Sequence, residues 1–345
     1  MRYNWTTTIQ YKTQRGINFA TVSKALSFLH NETCLRFKNV VNFTDSGLYY
    51  INSSKCFSYV GRAFENQSQE IHLTKKCQRF FPILHETFHA LGMIHEFGRP
   101  DRNDHLVVNK DNIETSALGN FALNNASETL TYNLKFDHGS AMNYNRYTFG
   151  KDKQAAIDTK DPHYSQTIGQ NTEISFNDIK QLNLHYCSHK CTKNIPSCKT
   201  NGYPNPNNCT YCKCPRFFTG QFCEKLINSH QNCSETKRIA NDTIASFYLK
   251  GAIKCYIRIS ASKDYKINIT VSGYFRHNAS VCQPNEGLEV KYYKDKSVSG
   301  AIFCGTFGNK IIISEANTTV LGYSGKHKGD ILTVSYQRIK KNKSS

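Results

Sequence analysis

Three histidines and a glutamate stand within residues 85–95: His85, Glu86, His89 and His95, in the run HETFHALGMIHEFGRPDR. In a helix, residues four apart share a face about one turn apart, so the imidazoles of His85 and His89 can aim at a single metal ion. Glu86, beside His85, can then lean over solvent at that metal without ligating it, which is the place of a general base. Gly92 tolerates the left-handed backbone that ends a helix, and the reversal it permits brings His95 round as a third ligand. Three protein ligands leave a coordination position open, as catalytic zinc requires and structural zinc does not. The spacing predicts one catalytic Zn2+ per chain, held by His85, His89 and His95, with Glu86 as the base.

Several elements must position these residues. PILHETFHALG predicts a helix, with Pro82 in an early position and Gly92 just past the end. In TVSKALSFLH, Val22, Ala25, Leu26 and Leu29 fall at helical spacing and predict an amphipathic helix ending near Asn31. In SFNDIKQLNLHYC, Ser175 and Asp178 form a capping box, and Ile179, Leu182 and Tyr186 share a face. CLRF, LYYIN, CFSYVGRAF and EIHL read as short strands, and the stretch between the histidine run and the last helix reads as a long loop. Helix, strands and helix together predict a mixed α+β domain over residues 1–188.

The length of 345 residues allows two or three domains. Between Cys191 and Cys223 there are six cysteines and almost no periodic apolar pattern, so residues 189–225 must be held by disulfides rather than by a core. A zinc knuckle built on Cys209, Cys212 and Cys214 is the alternative, which the even count disfavours. From 229 to 338 the runs CYIRIS, YKINITVSGYF, LEVKYY, NKIIIS and DILTVSY predict an antiparallel sandwich, followed by a solvated basic tail over 339–345.

The 14 cysteines, with Asn-x-Ser/Thr sequons that include Asn4, Asn31, Asn42, Asn52, Asn125, Asn268 and Asn317, point to an oxidising secretory route and an extracellular, glycosylated protein. The first residues carry no apolar stretch of the signal-peptide kind, so either a leader lies upstream of this sequence or Met1 is not the natural start. No apolar run approaches the ~20 residues of a transmembrane helix. The net charge of +18 favours acidic partners, an anionic extracellular matrix among them. The basic residues are dispersed and form no stripe with interleaved aromatics, which argues against nucleic acid.

HETFHALGMIHEFGRPDR fits the H-E-x-x-H-x-x-G-x-x-H signature of the metzincins. It resembles the astacin family in particular, because Glu96 directly follows the third histidine and Arg99, Asp101 and Arg102 come after it. GSAMNY, ending at Tyr144, resembles the family's Met-turn with its tyrosine, and KDPHYSQTIGQNTEISFNDIKQLNLHYC is similar to its final stretch. The resemblance covers residues 5–187. It implies a metzincin catalytic domain and a secreted zinc-dependent endopeptidase acting on extracellular proteins or peptides. Tyr144 would hydrogen-bond the tetrahedral intermediate, and Met142 would form an apolar floor. It also implies pairing of Cys34 with Cys187 and of Cys56 with Cys77. The six-cysteine block resembles an EGF-like module and the last region a CUB domain, in the order of nematode-type astacins.

Some positions depart from the pattern. Asn143 stands where the family usually has histidine, a tyrosine common after the Arg-x-Asp-Arg segment is missing with His105 nearby, and EGLEVKYYKDK lacks the acidic pattern of a calcium loop. A rival reading is an inert secreted binding protein that grips a partner through its EGF-like and CUB modules; the intact His85, Glu86, His89, His95 and Tyr144 favour the enzyme. The resemblance implies that an acidic residue after the scissile bond is often favoured; Arg146, two residues past Tyr144, is the best-placed arginine to recognise it, the alternative being an arginine that points to solvent.

Overall fold

In the computed structural model, which describes residues 4–193, 196–233 and 235–341, strands β1 (Thr8–Thr13), β2 (Arg36–Asn39), β3 (Gly47–Asn52), β4 (Phe57–Ser58) and β5 (Gln69–Leu73) form one sheet in the order β2-β1-β3-β5-β4. All pairs are parallel except β4, which runs antiparallel to β5 at the edge. A parallel pair needs a crossover, and helix α1 (Phe19–Glu32) supplies it between β1 and β2. It buries Val22, Ala25, Leu26 and Leu29, the residues its spacing predicts.

Two strand expectations need correction. β1 is absent from the sequence reading, because only Ile9 and Tyr11 are buried along it, too short a pattern to stand out; pairing on both sides makes it a strand. CFSYVGRAF yields only the short β4. Its chain then leaves the sheet at Gly61 (φ 74°), whose N–H donates to the His89 carbonyl at 2.7 Å.

Helix α2 (Phe80–Ala90) carries the first two histidines and packs with α1, the sheet and helix α3 (Phe176–Tyr186) around Leu26, Leu48, Tyr50, Ile83, Phe88 and Leu182. The capping box opens α3 as expected, with Ser175 and Asp178 bonding reciprocally. The disulfides Cys34–Cys187 and Cys56–Cys77 form as the family resemblance implies. Between α2 and α3 the chain runs through 3-10 turns and a paired β6 (Leu106–Val108) and β7 (Ile157–Thr159). This region closes over a second, smaller core that includes Phe97, Leu106, Phe121, Phe136 and Ile157.

Beyond α3, the bridges Cys191–Cys209, Cys198–Cys212 and Cys214–Cys223 hold two hairpins, β8 (Tyr203–Asn205) with β9 (Asn208–Lys213) and β10 (Phe218–Thr219) with β11 (Lys225–Leu226). Cys209, Cys212 and Cys214 are thus consumed in disulfides, which removes the zinc-knuckle alternative. The remaining strands are β12 (Lys237–Ile239), β13 (Ala245–Lys250), β14 (Lys254–Ser260), β15 (Tyr265–Tyr274), β16 (Gly287–Lys291), β17 (Ala301–Phe303), β18 (Thr306–Ile313), β19 (Thr318–Ser324) and β20 (Ile331–Lys340). They form two sheets, β12-β14-β19-β16-β17 and β13-β20-β15-β18, over a shared core that includes Ile257, Ile269, Leu288, Leu321 and Val334. Pairing is antiparallel except between β12 and β14. The basic tail starts later than expected, since Ile339 and Lys340 still pair with Lys266 and Tyr265; residues 342–345 lie outside the described residues. Among the described residues no helix is long and apolar enough to cross a membrane.

The last β unit docks on the segment that precedes α3. Tyr164 is fully buried and belongs to the β unit's own core cluster. Arg216 of the disulfide-held segment pairs with Glu173 before α3 and with Glu289 of β16. Asp161 accepts hydrogen bonds from Tyr292 and, at 2.8 Å, from His163 Nδ1. Burial pushes the Asp161 carboxyl up, but these donors outweigh burial and hold it down at about 2. A carboxylate depressed on folding contributes stability that is complete above its unfolded value of ~3.9 and disappears as pH falls through its folded value. Thermal midpoints should therefore fall between about pH 4 and pH 2 more steeply in the native protein than in Asp161→Asn; parallel acid profiles would remove Asp161 from the docking energetics.

Candidate active site

The geometry begins at the end of α2. Gly92 adopts φ 99°. Met93 N–H donates to the Phe88 carbonyl at 2.9 Å and Gly92 N–H to that of His89 at 2.8 Å, the paired bonds of a Schellman stop. The same turn points the Met93 carbonyl back at the helix, where it meets His89 Nδ1 at 2.7 Å. His85 Nδ1 lies 3.0 Å from the Ala141 carbonyl. A carbonyl can only accept, so both Nδ1 atoms carry the proton and both Nε2 atoms are left with a free lone pair. His95 follows the turn; its Nε2 lies 3.2 Å from that of His89, and its ring stacks on Phe97 at 4.8 Å.

Ligand atoms of His85, His89 and His95 all lie within 4.8 Å of one another, a grouping that could hold a metal ion. Burial, then neighbouring imidazoles, holds His89 at about 3 and His95 at about 2; burial also lowers His85. All three are neutral at physiological pH, the form that binds a metal. His30, His72, His138, His163 and His185 lie outside this group, as the sequence reading expects.

Glu86 is 7% exposed, its Oε2 has no hydrogen-bond partner, and burial pushes its carboxyl up to about 7. It lines one cleft with the three histidines, Tyr144, Phe57, Val60, Ile94, Leu123 and Asn124. Tyr144 stands with its ring 4.7 Å from that of His95, its hydroxyl raised by burial and by the charge of Glu86. Met142 is fully buried in the main core beneath this group.

Arg146 is elsewhere. It pairs with Asp158, its Nε donates to the Ile157 carbonyl at 3.3 Å, and it does not line the cleft. The expectation that it meets a substrate carboxylate is therefore corrected: β7 brings Asp158 alongside, and an ion pair within hydrogen-bond range satisfies the guanidinium there.

Two carboxylates, Asp178 and Asp137, are not legible in the sequence as parts of the site. Asp178, legible only as a helix cap, also accepts from Ser140 Oγ at 2.6 Å and Ala141 N at 2.9 Å, and so fixes the carbonyl that orients His85. Glu96 accepts from Asp137 N at 2.8 Å and from Arg99 at 3.1 Å, while its own N–H donates to the Met142 carbonyl at 2.9 Å. Asn143, in the unusual position, ties the turn internally, donating to the carbonyls of Asp137 at 2.9 Å and His138 at 3.2 Å. The Ser-x-x-Asp spacing was the available signal for Asp178, and nothing local marks Asp137.

Residues 1–187 match the profile of Astacin, a peptidase family. The chain belongs to the astacin family. It is 32% identical to a zinc metalloproteinase of Caenorhabditis elegans, nas-34, over 93% of this chain and 53% of that protein. It is 36% identical to the zinc metalloproteinase nas-36 of Brugia malayi over 65% of this chain and 39% of that one. Among solved structures it is similar to high choriolytic enzyme 1, a hatching enzyme zinc-protease from Oryzias latipes, at 30% identity and a TM-score of 0.48, covering 52% of this chain and 88% of that one. The chain spans about half the length of the curated relatives it matches.

Zinc is the metal of this astacin chain, and the donor set fits it: three neutral imidazoles, two of them of fixed tautomer, converge with no carboxylate among them. Purified protein should carry one zinc per chain. Chelation should lower its thermal midpoint and added zinc restore it, since a ligand bound only by the folded state stabilises that state; a midpoint indifferent to both would contradict the site.

Proposed function

We propose that this protein is a secreted zinc-dependent endopeptidase that hydrolyses peptide bonds of extracellular proteins, with His85, His89 and His95 as the zinc ligands. The reading rests on one observation above all: Glu86, whose Oε2 is buried and unpartnered, lines the same cleft as the three converging imidazoles. When bound, zinc supplies Lewis acidity, which makes water nucleophilic near neutral pH and polarises a carbonyl. Glu86 takes the proton of the attacking water and delivers it to the departing amine. Tyr144 donates a hydrogen bond to the oxygen on which negative charge develops, and Met142 and Phe97 keep the floor dry and rigid.

The substrate backbone extends along β4, an edge strand that borders the cleft and offers unpaired backbone groups to an added strand. Phe57, Val60, Ile94 and Leu123 surround the bound peptide with apolar surface, and no Lys or Arg is among the described residues that line the cleft. Residues 189–225 act as an EGF-like module and 229–338 as a CUB-like domain, and the surplus of positive charge, +18, favours an anionic matrix. Seven disulfides and the scattered sequons fit an oxidising, extracellular setting.

Glu86→Ala should keep zinc and fold yet lose peptide cleavage by about 10⁴-fold, the upper end for general acid–base catalysis. Tyr144→Phe should lose about 10²-fold, as for one oxyanion donor. Normal turnover in Glu86→Ala would assign the base elsewhere. Arg146→Ala should leave the ratio of kcat/KM for matched Asp and Leu peptides unchanged, and a collapse of that ratio would return Arg146 to substrate recognition.

A further inference from the structure

The last β unit reaches the metal site through one loop. Between β16 and β17, residues 297–300 are held from within by Lys291, buried, whose Nζ donates to the carbonyls of Val298 at 2.6 Å and Lys296 at 3.2 Å. Gly300 N–H donates to the buried Glu289 at 3.0 Å. The loop therefore presents a preset backbone. Its Ser299 peptide is gripped from both sides by the catalytic half: Ser299 N–H donates to Asp137 Oδ1 at 3.1 Å, and Tyr164 OH donates to the Ser299 carbonyl at 3.1 Å. The fit is close, since a Cβ on Gly139 would come within 2.5 Å of the Ser299 side chain.

Asp137 passes this contact inward. Its Oδ1 also accepts from Gly139 N at 3.0 Å, at the entry to the turn whose Ala141 carbonyl orients His85. Its N–H donates to Glu96, the residue after His95, at 2.8 Å, and Glu96 N–H holds the Met142 carbonyl. Both outlying anchors of the histidine cluster thus meet at one 1%-exposed residue, the turn behind His85 through the Asp137 carboxylate that the β unit also engages and the backbone after His95 through the Asp137 N–H.

We infer that the 297–300 loop of the last β unit is a strut for the zinc site and that Asp137 is the positioning residue through which it acts. Without Ser299 N–H, Asp137 loses one of its two Oδ1 donors, and the segment 137–141 is free to shift relative to Glu96. The β unit then belongs to the catalytic apparatus, in addition to any partner it binds. The inference rests on the reading of His85, His89 and His95 as the zinc ligands.

The test uses full-length protein and needs no turnover: zinc affinity by chelator competition, the visible spectrum of the cobalt-substituted protein, and the thermal midpoint of the apo form. Asp137→Ala and Gly139→Ala should weaken zinc by about 10–100-fold, the range for groups that orient ligands, and shift the cobalt spectrum. Asp137→Asn, which keeps an acceptor oxygen, should recover most of the affinity. Tyr164→Phe, which removes one hydroxyl and keeps the ring in its core, should weaken zinc in the same direction by less, and serves if the other variants fail to fold. Native zinc affinity and cobalt spectrum in Asp137→Ala or Tyr164→Phe, with only the thermal midpoint lowered, would overturn the strut and leave simple adhesion between units. Wild-type protein that binds no zinc would instead refute the ligand assignment.

Discussion

Everything at the site depends on the chain reversal at Gly92. A helix delivers two imidazoles to one face but cannot deliver a third at the same point, because the next turn carries residues away along the axis. The left-handed glycine breaks the axis, and its Schellman bonds return the chain with the Met93 carbonyl aimed at His89. One turn thereby ends the helix, selects the tautomer of the second histidine and directs the chain toward His95. A side chain with a Cβ at φ 99° would be strained there, so the geometry and the residue type are bound together.

The cost of gathering neutral imidazoles and a carboxylate in a buried cleft is met by the shells around them. The main core beneath α2 fixes the helix through Ile83, Leu84 and Phe88, all fully buried. The smaller core around Phe97 and Phe121 fixes the opposite side of the cleft, where Tyr144 packs. Between them runs a polar seam of Asp137, Glu96, Arg99 and Asp178, in which each carboxylate accepts from a backbone N–H as well as from a side chain or a second N–H. Such a seam holds its geometry because a buried acceptor left unpaired costs more than a paired one contributes. The last β unit joins this seam through Ser299 N–H on Asp137.

Some of this was legible in residues alone. The run from His85 to His95 announces its chemistry because ligand spacing, helix period and a stop glycine are local constraints. The capping box at Ser175 and Asp178 and the amphipathic face of α1 are legible for the same reason. β1 was not, since a central parallel strand with two buried side chains carries its identity in its neighbours. The reach of CFSYVGRAF was overestimated because its departure from the sheet is decided by the bond from Gly61 to His89, which no local pattern encodes.

Arg146 shows the boundary most plainly. Proximity in sequence to Tyr144 placed it beside the cleft, whereas the β6–β7 pairing sets Asp158 against it and turns it to another task. Asp137 is the converse, a residue without a local signal that becomes central because two distant segments meet at its carboxylate and its N–H. By itself the sequence marked the candidate metal ligands, the candidate base and the helix that carries His85, Glu86 and His89, since these follow from periods of a few residues. Only the tertiary structure decided which carbonyls orient the imidazoles, which charges are already paired, and that the last β unit stands against the back of the site, because those depend on contacts between residues as far apart as Asp137 and Ser299.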